Sequence, residues 1–187
     1  MKRIILLSVL LAFFLQSCII SLHPLYTDDV IVYNKNIEGR WQQGPVEGSD
    51  YVIWDFKRQK KGYEVHRYYK GDTLSYEAVL VQLGEHYFMD FYRQLPDDFQ
   101  DDLSRVLPTH NFLKLSFSGQ NLKLVYFDHK YLERLFKERK IRIKHEKVGS
   151  DIVLTASSKE LQQFMLKYAE DENAFHDSFE LLEKIAY

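Results

Sequence analysis

Residues 60–83 read KKGYEVHRYYKGDTLSYEAVLVQL, and this stretch decides the fold class. Tyr63, Val65 and Tyr69 alternate with polar neighbours, the period of a strand with one face turned inward. KGDT at Lys70–Thr73 carries a two-residue Gly-Asp hairpin signal, after which LSYEAVLVQL resumes as a strand. The pattern continues in both directions. Val52, Trp54 and Phe56 share one strand face, and LGEH turns into YFMDFY. FLKLSFSGQNLKLVYF reads as a hairpin around Ser118-Gly119-Gln120-Asn121, and IRIKHEKVGSDIVL as another around Gly149. About eight strands follow, mostly joined to their sequence neighbours, so an antiparallel meander is the economical topology.

Helical spacing interrupts the strands. LPDDFQDDLSRVLP places Phe99, Leu103 and Val106 on one face, with Pro96 at the start and Pro108 past the end. DHKYLERLFKER offers Asp128 as N-cap and an apolar face of Tyr131, Leu132, Leu135 and Phe136. In SSKELQQFMLKYAE, Ser157 and Glu160 form a capping box ahead of a stripe of Leu161, Phe164, Met165 and Tyr168. A last helix is expected to carry Phe175, Phe179, Leu182 and Ile185. The expected class is therefore α+β and β-rich, a meander with packed helices, one or two of them at the C-terminus. Closing the meander into a barrel would remove its edge strands. An open sheet with helices on one face is the alternative.

Composition narrows the function classes. The chain has 187 residues, with 25 basic and 27 acidic side chains and a net charge of −2. That balance gives no electrostatic footprint for nucleic acid. Aromatic residues make up 15%, with thirteen Tyr and thirteen Phe, which favours strands first and an aromatic binding surface second.

The N-terminus reads as an address. Lys2 and Arg3 precede an apolar run, Ile4–Leu15, of the length of a secretory core and short of the roughly 20 residues a membrane span needs. Leu15-Gln16-Ser17-Cys18 resembles the lipobox of bacterial lipoproteins. The resemblance implies cleavage before Cys18, a diacylglyceryl group on its thiol and a further acyl chain, such as palmitate, on the new amine. Two or more chains anchor stably where one does not. Cys18 is the only cysteine, so it cannot form an internal disulfide. The expected organisation is a signal peptide at 1–17, a lipidated tether and leading segment at 18–38, and one β-rich domain at 39–187. Ile19 follows the cysteine where an aspartate would resemble an inner-membrane retention signal. The expected location is therefore the cell envelope, on the outer membrane and facing the periplasm.

EGRWQQ at Glu38–Gln43 resembles the Gly-x-Trp of the first strand of lipocalins, with Gly39 and Trp41 in the two positions. Lipocalins are eight-stranded ligand-binding barrels. The chain departs from that pattern by inserting the Tyr131 helix before its last hairpin and by its C-terminal helical segments. LHPLYTDD followed by GRW also looks like the start of small envelope lipoproteins, a likeness that brings no activity with it.

Candidate chemistry is sparse. Asp97, Asp98, Asp101 and Asp102 could offer oxygens to a hard cation, but they lack an EF-hand's glycine turn and spacing and fit a solvated helix start. None of the seven histidines forms a His-x-x-x-His pair, and His86 and Asp90 on one strand would lie about 13 Å apart. The chain has no Gly-x-Ser-x-Gly elbow and no Ser-x-x-Lys. No catalytic residue, metal or cofactor is assigned, and an enzyme is not expected. Trp41, Trp54, Tyr63, Tyr69, Tyr76, Phe88 and Tyr92 are the candidates to line a pocket, or simply to fill a barrel. The expected function is a non-catalytic module holding a small apolar or amphipathic ligand. The alternatives are an envelope interaction protein without a pocket and a hydrolase with a site assembled across strands.

Overall fold

The computed structural model describes residues 19–44, 50–94, 109–149, 151–175 and 179–185. Among them are eleven strands: β1 (Ile20–Ser21), β2 (Gly39–Gln43), β3 (Val52–Gln59), β4 (Gly62–Tyr69), β5 (Asp72–Leu83), β6 (His86–Gln94), β7 (His110–Ser118), β8 (Asn121–Tyr126), β9 (His145–Val148), β10 (Asp151–Leu154) and β11 (Phe179–Lys184). Two α-helices, α1 (His129–Lys137) and α2 (Ser158–Lys167), lie between β8 and β11. The signal segment with Cys18, the helix expected around Phe99 and the acidic run at Asp97–Asp102 fall outside the described residues.

Eight of the strands close into an antiparallel barrel. β2 to β8 pair in sequence order, and β11 then lies between β8 and β2. The meander is thus observed, and closure replaces the open-sheet alternative. The last expected helix is a strand. In β11 Leu182 is fully buried while Leu181 is exposed, the alternation of extended chain. The facing edges of β8 and β2 present backbone groups that only a strand can satisfy, and that demand overrides the helical spacing of Phe175, Phe179 and Leu182.

The hairpin at KGDT also sits one residue earlier than expected. Tyr69 pairs with Asp72, so the loop is Lys70-Gly71, with φ of 50° and 91°. Positive φ at both central residues is what a type I′ turn requires. The helix starts match expectation. Asp128 accepts from the Tyr131 N–H, and Ser157 and Glu160 satisfy each other's backbone N–H in a capping box.

The barrel wall has two faces, each with its own core. Inward lie Trp41, Trp54, Phe56, Tyr63, Val65, Leu80, Met89, Leu113, Leu124 and Leu182 with Ile37. Outward on β5 to β7 lie Val79, Val81, Leu83, Phe88 and Phe112, which cluster with Leu132, Leu135, Leu161, Phe164 and Met165 of the helices. Residues 78–81 are buried without a break, because both faces of this strand are covered.

The leading segment is packed from its first described residues. β1 pairs antiparallel with the start of β7 and parallel with β10, and β9 forms the outer edge of that small side sheet. Leu25 is fully buried in the outer core, and Ile37, on a 3₁₀ turn at Lys35–Ile37, is fully buried in the inner one. The two barrel ends differ. At the Ile37 end, β3–β4, β5–β6 and β7–β8 are joined by two-residue loops. At the other end lie the Lys70-Gly71 loop and the longer links from β2 to β3, β6 to β7 and β8 to β11, and that end is called the mouth below.

Candidate functional site

Counting inward from the barrel floor gives the site. Strand residues two apart share a face, so Gln43 follows Trp41, Arg67 follows Val65, Tyr126 follows Leu124, and Glu180 precedes Leu182. All four polar side chains therefore face the interior near the mouth, and all four are half-buried. They come from β8, β11, β2 and β4, and with Trp54 on β3 they form an arc across five consecutive strands.

The arc is hydrogen-bonded. The Gln43 amide donates to Glu180 Oε2, the Tyr126 hydroxyl donates to Glu180 Oε1 at 3.2 Å, and Trp54 Nε1 donates to Gln43 Oε1 at 3.2 Å. The Arg67 guanidinium sits over the Trp54 ring, 5.4 Å from its centre, a cation–π arrangement. Burial pushes the Glu180 carboxyl above its ordinary range, opposed by the Arg67 charge and the Tyr126 hydrogen bond. On β7, the strand next to β8, Asn111 has a buried Oδ1 without a hydrogen-bond partner among the described residues. Its register partner is Phe91, a member of the inner core. The mouth therefore combines a guanidinium donor, a tethered carboxyl and an unsatisfied acceptor.

Beneath the arc the interior is filled. Trp54 meets Phe56 and Phe91 with ring centres 6.3 and 6.0 Å apart, and Phe56 meets Tyr63 at 6.3 Å. Tyr63 bonds Asn34 as both donor and acceptor, and Trp41 Nε1 donates to the Ile37 carbonyl at 2.8 Å. Those side chains form an aromatic floor. Of the seven aromatics chosen from sequence, Trp41, Trp54 and Tyr63 are buried in that floor, while Tyr69 and Tyr76 are half-buried against the same cluster. Phe88 and Tyr92 are not with them. Phe88 belongs to the outer core, and the Tyr92 ring lies 4.9 Å from that of His110 on the outer face. Both were placed with the others by composition rather than by strand parity.

Two further features were weighed. An open cleft of about 610 Å³ lies at the closed end, walled by Trp41, Phe117, Arg40, Glu38 and Lys184. Its cations are committed: Lys184 donates to the Asn36 carbonyl at 2.8 Å and covers the Trp41 ring, and Arg40 pairs with Asp55. On the outer face, His110 Nδ1 lies 2.8 Å from Asp90 Oδ1, and Asp90 Oδ2 accepts the Leu25 N–H at 2.8 Å. Burial pushes the Asp90 carboxyl up, opposed by the His110 hydrogen bond. Asp90 is 1% exposed and His110 8%, so this pair is a latch for the leading segment rather than an open cleft. His86 goes elsewhere, to Glu170 at 3.0 Å.

Sequence reading missed Gln43, Arg67, Asn111, Tyr126 and Glu180. For Gln43, Arg67 and Tyr126 the signal was present, as polar residues at inward positions of correctly read strands, whereas Asn111 lies one residue ahead of the strand as read from Phe112. Glu180 was hidden by reading its segment as a helix. Compared with protein-family models, curated proteins and solved structures, the chain matches none.

Proposed function

We propose that this chain is a lipid-anchored protein of the cell envelope whose barrel holds a small amphipathic molecule at its mouth. One observation carries the binding part: a polar arc of Gln43, Arg67, Tyr126 and Glu180 stands directly above an aromatic floor. Ligand sites are apolar with a few placed polar groups, and the mouths of barrels are a preferred location. The lower interior is occupied by rings, which confines the ligand to the upper half and keeps it small. Arg67 calls for an acceptor on the ligand and Asn111 Oδ1 for a donor, so a hydroxyl- or amide-bearing head on an apolar body fits both. Location on the outer membrane, facing the periplasm, rests on the lipobox resemblance at Cys18 and on Ile19 after it.

The test is native mass spectrometry of the protein purified from its own host, with displacement of anilinonaphthalene sulfonate as a second readout. Arg67→Ala or Arg67→Gln should weaken probe binding by roughly 10- to 100-fold, the equivalent of one hydrogen bond to a charged group. No co-purifying molecule, together with probe binding indifferent to both changes, would remove this reading. The interaction-protein alternative would then gain from Phe179 and Leu181, which face outward on β11 and are each 46% exposed.

A further inference from the structure

The segment from Lys137 to Lys147 carries six basic side chains against two acidic ones, in a chain that is slightly acidic overall. All six (Lys137, Arg139, Lys140, Arg142, Lys144 and Lys147) are exposed. Glu138 reaches one of them, Lys140, at 2.7 Å. Between the cations, Ile141 and Ile143 turn inward against the outer core, which leaves Arg142 and Lys144 on the outside. Arg139 takes φ of 57° directly after the α1 C-cap, a position glycine adopts without strain. A cation stands there at a conformational cost.

The fold brings this segment beside the start of the described chain. β9 pairs with β10, which pairs with β1, so β9 and β1 are two strand spacings apart, roughly 10 Å. β1 is parallel to β10, so the chain enters β1 at the end where β9 turns into β10. At that turn Val148 is 61% exposed. Cys18 precedes Ile20 by two residues, which is at most about 7 Å of chain. An acyl anchor on Cys18 therefore leaves the β9–β10 wing no linker with which to stand off from the bilayer.

We propose that this wing is a contact surface for anionic lipid headgroups, with the cations of residues 137–147 against the phosphates and Val148 at the interface. A basic edge strand also discourages pairing with another chain. That role does not require the cations at Arg139 and Lys140, ahead of the strand, or an apolar tip. Basic side chains near an anionic leaflet each add to attachment, and a second signal beside an acyl chain is a known route to firm anchoring. The orientation rests on the lipid-anchor reading of Cys18.

The test uses the full chain from a host that processes lipoproteins, with a polarity-sensitive dye attached at Val148→Cys. It is reconstituted in vesicles of phosphatidylcholine alone, or with about one-third phosphatidylglycerol to supply surface charge. The dye should shift to the blue only in the charged vesicles, and high salt should reverse the shift by screening. Replacing Arg139, Lys140 and Arg142 together by Gln should abolish the shift while the circular dichroism spectrum and vesicle flotation persist. Equal emission in both lipids, or a shift untouched by the triple change, overturns the proposal. So does an equal shift with heparin in solution, which would assign the wing to a polyanionic macromolecule. An intact mass without acyl chains on Cys18 defeats the anchor reading alone. The wing is then judged by sedimentation with the charged vesicles, where the triple change should cost on the order of 100-fold in partitioning, about fivefold per cation. Absence of any such partitioning overturns it.

Discussion

Among the described residues the barrel interior is filled by strands, with Ile37 of the 3₁₀ turn and Val32 packed against them. The outer core takes one wall from β5 to β7 and the other from α1, α2 and the leading segment. Rings dominate the interior, with Trp54 and Tyr63 each 6.3 Å from Phe56 and Trp41 in the same cluster. The outer core has its own ring cluster, with Phe127 5.2 Å from Phe164 and 5.1 Å from Phe175. Both are well packed. They differ in what holds their walls in place: inside, ladder hydrogen bonds run round a closed barrel, whereas outside the hold is local, from the short β1 ladder, the backbone bonds of Val30 and Val32 to β5, side-chain contacts and the Asp90 latch. Damage inside should therefore act on the whole molecule, and damage outside on the part that has been laid over it.

The largest effects should be Trp41→Ala and Phe164→Ala, each costing about 3–5 kcal/mol as large side chains lost from a tight core. Both should lower the denaturation midpoint with the slope unchanged, if the two cores unfold as one unit. A shallower slope or a second transition for Phe164→Ala alone would show that the outer core comes away separately. An unchanged midpoint would mean that Phe164 is not core at all.

Asp90→Asn should cost about 1.5–3 kcal/mol, the range for hydrogen bonds to a charged group. Its signature is regional. Amide exchange at Leu25, which donates to Asp90, should accelerate more than exchange in β3 or β4. Uniform acceleration would erase the distinction between a latch and a core residue.

Gly62→Ala tests the interior wall. A Cβ there would fall 2.2 Å from the Ala78 carbonyl oxygen, a backbone atom that cannot step aside. The expected loss is about 1–3 kcal/mol of overpacking, read from the thermal midpoint. Ser157→Ala should cost about 1 kcal/mol through the lost cap of α2, and should leave the barrel's exchange pattern intact.

The smallest effect differs in sign rather than size. The Glu180 carboxyl is raised by burial, so the folded state holds its proton more tightly than the unfolded chain does. The contribution of Glu180 to stability, read as wild type minus Glu180→Gln, should therefore fall as pH rises from the unfolded carboxylate range through the folded pKa, and level off above it. Glu180→Gln should remove that decline, leaving the variant no less stable than wild type at neutral pH. A difference curve that instead rises through this window would show that Arg67 and Tyr126 outweigh burial.

The comparison also explains what the sequence disclosed. Period-two patterning exposed β3 to β8, because one face of each strand contributes to a ring-filled interior. The unbroken run Ala78–Val81 is the mark of a strand covered on both sides, a sign the sequence reading left unused. Capping residues marked both described helices. What stayed hidden depended on tertiary demand. β11 is a strand because two edges wait for it, and the arc exists because parity in four separate strands converges on one end of a closed barrel. Phe88 and Tyr92 were grouped with the pocket aromatics only because parity across β6 was not enforced.

Closure by β11 also has a consequence in time. During synthesis this strand emerges after all the other described strands, so β2 and β8 are made long before their shared neighbour exists. Until then the nascent sheet carries two unsatisfied rims, and proteins dominated by distant pairings assemble slowly. A ribosome stalled short of Phe179 would release a chain with every other described strand present and a seam still open. Such a product is a template for joining to another unfinished copy, so chaperone dependence should concentrate in the interval before β11 emerges.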